Sequence, residues 1–187
     1  MSSVIESILT RQSEPRLEAP APDRETLREV LACAFKAPDH ALLRPWRYLV
    51  IEGEGLERMG KFWAECLQEE NPECSEADRR KALGQPLRAP MIIVGITSPK
   101  AHPKVPPIEQ HISTGVGLGY MLLALEERGF AGIWRTGDMA YHQGFKKRLG
   151  LQEEEQIAGF LYVGTPTLRK QPSPEPEFEG HVSFWQG

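Results

Sequence analysis

No stretch of this chain approaches the ~20 consecutive apolar residues that a membrane-spanning helix requires. Its opening, MSSVIESILTRQSEPR, carries an acid at Glu6 and too short an apolar run for an export signal. The expected location is therefore the cytoplasm, with no membrane partner. Cysteine is scarce: Cys33, Cys66 and Cys74 are an odd number and form no Cys-x-x-Cys pair. They read as reduced, mostly buried thiols rather than a redox or metal centre. The five histidines are scattered, with no two at ligand spacing, so no metal site is expected. There is no basic stripe, and a net charge of −4 with both signs interspersed argues against a nucleic-acid partner. No Gly-x-Ser-x-Gly elbow, Walker loop or Ser–His–Asp ordering is present, which removes the familiar nucleophile and phosphate-loop chemistries. Gly115, Gly117 and Gly119 imitate a dinucleotide fingerprint, but they lie inside a helical pattern with no strand leading into them. Close helix packing, with a dimer axis as one place for it, is the better reading.

What is present is an ordinary globular composition over 187 residues, enough for one domain, 1–187, with a sizeable core. Val4, Ile5, Ile8 and Leu9 form a short helical face, with Ser2 or Ser3 as N-cap. Asp23 caps a second helix with apolar positions Leu27, Val30, Leu31, Ala34 and Phe35. WRYLVIEGEG reads as a buried strand ending in a glycine turn, and Leu56 to Leu67 carry a third helical face. Residues 70–88 are polar and weakly patterned, an excursion or a short helix over an active site. MIIVGIT, 91–97, is the clearest strand; a long helix runs from about Ile108 to Arg128, capped by Gly129. AGIWRTG and QIAGFLYVGTP are further strands, with the basic helix YHQGFKKRLG between them. Such alternation predicts an α/β fold, a sheet covered by helices. The tail, 170–187, is rich in proline and acid yet ends in Phe184 and Trp185, which suits docking on a partner subunit.

Four segments hold residues that could bind a polar ligand. Arg11–Ser13, with Arg16, offers a guanidinium fork and a hydroxyl suited to phosphate, although alone it reads more simply as a solvated helix end. In FKAPDHALLRPWRY, Pro38 and Pro45 stiffen a stretch carrying Lys36 and His40; His40 alone reads as a structural histidine, and Trp46 either closes a flat pocket or begins the strand. ERGFAGIWRTGD places glycines around Trp134, Arg135 and Thr136. GTPTLRK adds Arg169 and Lys170 after the last strand. The acids Glu126, Glu127 and Glu153 to Glu155 read as solvated helix faces. Dispersed arginines, glycines and aromatics without a nucleophile motif suit a protein that takes its chemistry from an organic cofactor.

In order and spacing, these segments resemble those of the FMN-dependent nitroreductase family, in its compact bacterial branch. The likeness runs from ILTRQSEPRL through FKAPDH, RAPMIIVGIT and the long helix to AGIWRTG and IAGFLYVGTP. It implies a three-layer sandwich with a central, mostly antiparallel sheet, assembled as an intertwined homodimer with two FMN sites at the interface. By the same resemblance, Arg11, Gln12 and Ser13 meet the FMN phosphate and ribityl chain, with Gln12 standing where many members carry a second arginine. Lys36 and His40 reach the cofactor from the partner subunit. Trp134, Arg135 and Thr136 line the flavin, and Arg169 is the C-terminal cation on the phosphate. The implied reaction is ping-pong: NAD(P)H gives a hydride to flavin N5, then a nitroaromatic, quinone or other small acceptor is reduced. No residue stands out as the general acid. The alternatives are a non-catalytic flavin-binding protein, a flavin enzyme of another reaction class on the same fold, or a structural dimer that binds no flavin. Many family members carry polar residues where this chain has Asp39, His40, Leu42 and Arg44, so its contacts to the flavin edge should differ.

Overall fold

A computed structural model describes residues 4–168, 173–174 and 177–186. Strands β1 (Leu17–Glu18), β2 (Trp46–Glu52), β3 (Met91–Thr97), β4 (Ala131–Arg135) and β5 (Gln156–Pro166) form one sheet. Its order is β1-β5-β3-β2 with β4 also on β5, and every pairing is antiparallel. The apolar run of β3 follows from its place between β5 and β2, where both faces are covered and all seven residues are buried. Successive side chains point to opposite faces. Ile92, Val94 and Ile96 therefore enter one core with α3 (Glu54–Glu70) and α6 (Gln143–Arg148). Met91 and Ile93 enter the other with α2 (Arg24–Ala34) and α5 (Pro107–Glu127). The result is the expected three-layer arrangement. Trp63, Phe145 and Phe160 meet at centroid separations of 5.4 to 6.0 Å and join α3 and α6 to β5.

Local rules explain the element ends. The Thr26 amide donates to Asp23 Oδ1 at 2.8 Å, capping α2 as expected. Gly129, at φ +83°, ends α5 in the left-handed conformation that its sequence position predicts. Residues 70–88 resolve into α4 (Glu76–Gly84), capped by Ser75 and packed on α3. Gly117 lets α5 close on α2 and on the Tyr48 hydroxyl, Gly115 receives the Trp134 ring, and Gly119 faces open space.

Several expectations are corrected. β2 is an edge strand, and of its seven residues only Ile51 is buried, because among the described residues no strand covers its outer side. α1 (Val4–Thr10) forms where its periodicity places it, but Val4, Ile5, Ile8 and Leu9 are all exposed. Phe35 is exposed at the end of α2. Cys33 is exposed and Cys74 half-buried, leaving Cys66 alone as a buried thiol. Glu155 is not a solvated acid; it is buried and bound to Arg47. The N-cap expected at Ser2 or Ser3 lies outside the described residues.

Candidate functional site

The Arg11 amide donates to the Ser7 carbonyl and closes α1. Three residues on, the Glu14 amide donates to the Gly132 carbonyl at 3.1 Å, so Arg11–Glu14 runs beside β4. Arg11 is half-buried, and its Nη1 is buried without a hydrogen-bond partner among the described residues. A buried guanidinium N–H left unpaired costs about 1–3 kcal/mol, more for a charged group. An oxyanion placed there would remove that cost. The Ser13 hydroxyl, also half-buried, makes no hydrogen bond among the described residues. Beside this segment, β4 pairs with β5 alone among the described strands; on its other edge the Gly132 carbonyl takes the Glu14 amide, and no described strand pairs with the residues that follow.

Strand alternation separates two of the expected flavin-lining side chains. Trp134 faces α5, with its ring over Gly115 and Nε1–H donating to the Ala158 carbonyl at 3.2 Å. Arg135 faces the opposite side, 5.8 Å above the Tyr162 ring. Burial, and then the nearby Arg88 guanidinium, make Arg135 easier to deprotonate than a free arginine. Thr136 is exposed just beyond the strand, followed by Gly137 at φ +69°. The two side chains therefore cannot share one flat surface; only the backbone of 134–137 can present one side to a ring. α4 lies beside this end, over a cavity of about 340 Å³ lined by Trp63, Cys74, Lys81, Gly137 and Met139 among others.

The loop after α2 is seated on α5. The Ser113 hydroxyl donates to the Pro38 carbonyl at 2.8 Å, and His40 Nδ1 lies 2.8 Å from Glu109 Oε2. Lys36 is exposed between two grooves. One, of about 630 Å³, lies against α1, Cys33 and Tyr120; the other, of about 710 Å³, runs along Phe35, Arg44, Trp46 and Tyr48. Trp46 thus both begins β2 and lines a groove. Glu109 and Tyr120 are 11 residues apart on α5, about 16 Å at 1.5 Å per residue. Arg11 and Ser13 are brought to β4 and Lys36 to α1, whereas His40 is held near the start of α5. Gln12 is half-buried in the first of these segments, and Arg169 lies outside the described residues.

The residue that shapes this loop, Asp39, is not among the candidate ligand-binding residues that the sequence offers. Ala41, Leu42 and Arg44 adopt φ of 62°, 52° and 49°. The left-handed region costs a non-glycine residue about 1–2 kcal/mol. Asp39 offsets that strain: its Oδ2 accepts the Arg44 amide at 2.6 Å, and its carbonyl accepts the Leu42 amide at 3.2 Å. No glycine marks these positions in the sequence; the one signal is an aspartate, a residue type that hydrogen-bonds nearby backbone.

The chain matches the model of the nitroreductase family over residues 8–165. It is 36% identical over 178 residues to the "Putative NAD(P)H nitroreductase YdjA" of Escherichia coli K12, covering 92% of this chain and 94% of that one. A Haemophilus influenzae protein named as an NAD(P)H nitroreductase of the same standing is 31% identical over 161 residues, covering 84% and 85%. The fold matches a nitroreductase-like family protein from Bacillus cereus at a TM-score of 0.87 with 23% identity, covering 100% of this chain and 98% of that one. It also matches an iodotyrosine deiodinase bound to FMN and 3-iodo-L-tyrosine at a TM-score of 0.72 with 21% identity, covering 98% and 100%. With a family model spanning most of its length and relatives matched nearly end to end, the chain belongs to the nitroreductase family.

Proposed function

We propose that this protein is an FMN-dependent NAD(P)H oxidoreductase that reduces a small electron acceptor, a nitroaromatic or quinone among the candidates. One observation carries the reading: the buried Arg11 Nη1, without a hydrogen-bond partner among the described residues, in a segment that runs beside β4. An FMN phosphate suits that guanidinium, and the Ser13 hydroxyl can hold the ribityl chain. Backbone groups of Trp134–Gly137 offer donors and acceptors to the polar edge of the ring. Bound flavin supplies hydride chemistry between the nicotinamide and the acceptor. The chain's own residues bind the cofactor, orient it and exclude competing geometry. Lys36 and His40 add donors, and solvent delivers the proton.

The same reading includes a homodimer. Leu9 on α1 and Ile108 and Ile112 on α5 expose large apolar side chains, as do Phe184 and Trp185 in the tail, and surfaces of this kind mark interfaces. A second copy would bring its His40 loop to the Arg11 side of the first, and the 170–187 tail would dock on the partner. The cytoplasm remains the expected location.

The test is a visible spectrum of the purified protein, followed by anaerobic addition of NADH or NADPH. A two-banded flavin spectrum that bleaches supports the reading and identifies the donor. Arg11→Ala should weaken FMN binding roughly tenfold to a hundredfold, the worth of a hydrogen bond to a charged group. A colourless protein that takes up no added FMN, or unchanged FMN affinity in Arg11→Ala, overturns the assignment.

A further inference from the structure

Lysine is almost never fully buried unless it is paired. Lys146 on α6 departs from that rule: the residue is 2% exposed, yet it makes no ion pair among the described residues. Its Nζ donates once, to Gln156 Oε1 at 3.3 Å, a neutral acceptor at a long distance. An ammonium carries three donors, so two are left without a described partner. The other cations nearby are treated differently. Arg148 meets Glu65 and Glu69, and Arg47 meets Glu155. Glu155 is next to Gln156 in the chain, but its oxygens are taken by Arg47, Ser98 and the Gln152 amide. A cation in the last turn of a helix complements its dipole, which accounts for the basic run Lys146, Lys147 and Arg148 but not for the burial of the first. The Lys146 carbonyl is itself taken by the Leu151 amide at 3.0 Å.

Lys146 borders a cavity of about 420 Å³ between α6 and residues 151–153, which Lys147, Gln143 and Gln152 also line. We propose that this cavity is an oxyanion site, in which Lys146 holds the phosphate or carboxylate group of a small ligand. An oxyanion there would take the donors that the protein leaves open and supply the missing opposite charge. Lys147 adds a second cation, the two glutamine amides can donate, and exposed Glu153 is the one carboxylate on the rim, so the lining is net positive. An ammonium is a point charge with rotatable donors rather than a planar fork, so the site reads charge more than shape. The site is separate from the proposed flavin segments and does not rest on them. β4 pairs with β5 from Phe160 to Gly164, whereas Gln156, the partner of Lys146, pairs with Thr97 of β3.

The test is an NMR titration of the isotope-labelled full-length protein, in excess FMN, with sodium phosphate and separately with sodium acetate. Chloride holds the ionic strength constant, so that screening does not change between points. Wild type should show saturable shifts at the Gln152 and Gln156 side-chain amides and the Leu151 backbone amide. A response to phosphate alone assigns a phosphoryl ligand, and a response to acetate alone a carboxylate. Lys146→Met, which fills similar space without charge, should weaken that response about tenfold or more, as a charge-assisted hydrogen bond is lost. Lys146→Gln, polar but uncharged, should lose it in the same way. In chloride alone the thermal midpoint of Lys146→Met should match or exceed that of wild type, because a buried charge without a counter-charge is removed. The anion should then raise the wild-type midpoint only. Arg11→Ala should keep the shifts, which separates this site from the flavin segment. No saturable shift in wild type with either anion, equal shifts in the Lys146 variants, or shifts lost in Arg11→Ala overturn the inference and leave the flavin reading standing.

Discussion

A carboxylate buried under the end of a sheet requires fixed positive and hydrogen-bonding partners, and Glu155 accepts four hydrogen bonds from three residues. Arg47 donates from Nε at 2.7 Å and from Nη2 at 2.6 Å, the Gln152 amide donates at 3.0 Å, and the Ser98 hydroxyl donates as well. The Arg47 bonds, opposed by burial and reinforced by Ser98 and Gln152, hold its pKa down at about 2, from an ordinary 4.5. A depressed carboxylate pKa contributes stability that is present above the unfolded value and lost as pH falls toward the folded one. Glu155→Gln should therefore cost about 1–3 kcal/mol at pH 7, since it leaves Arg47 without its charge partner. The gap between wild type and variant should narrow as pH is lowered from about 4.5 toward 2. Denaturant melts at a series of pH values measure this; a gap that is the same at pH 7 and pH 3 would refute the account. Little of this was readable in the chain. Glu155 follows two other acids, and its partner Arg47 lies 108 positions away, a pairing that only the register of β2 on β3 and β3 on β5 creates.

At the scale of elements, the fit of α4 on α3 depends on one glycine. A Cβ at Gly60 would lie 2.3 Å from the Leu83 carbonyl oxygen, and a backbone atom cannot rotate out of the way. Gly60→Ala should push α4 off α3 and destabilise the fold by about 1–3 kcal/mol, the usual range for overpacking. Amide hydrogen exchange across 76–84 should speed up with it. Gly84→Ala, at the end of the same helix where an added Cβ meets nothing within 4 Å, is the control and should be close to neutral. Exchange in α4 that is the same in Gly60→Ala as in wild type would refute the packing argument. Element identities were largely legible: α5 and β5 by length and periodicity, β3 by its unbroken apolar run, α2 by its aspartate cap. α4 was not settled, because its pattern is weakly amphipathic and its packing comes from a glycine contact that periodicity does not encode.

For the whole molecule, α5 exposes Ile108 and Ile112 on one side while Leu118, Met121 and Leu125 fill the core on another. A helix apolar on several sides suits the homodimer proposed above. On the proposed reading, in which a second copy completes the flavin site, Ile108→Glu with Ile112→Glu should leave a folded monomer and reduce FMN retention. Sedimentation velocity with flavin absorbance reads both, and a double variant that stays dimeric would remove α5 from the interface. The chain by itself determined the alternation of helices and strands, the capping at Asp23 and Gly129, and the order of polar segments that resembles the nitroreductase family. These are local signals, carried by propensity, period and residue type. Only the tertiary structure decided that Trp134 and Arg135 face opposite sides of β4, that Glu155 is buried, and that Asp39 holds a left-handed loop. Each of these depends on which distant segments meet, and that is set by packing and register rather than by neighbours in the chain.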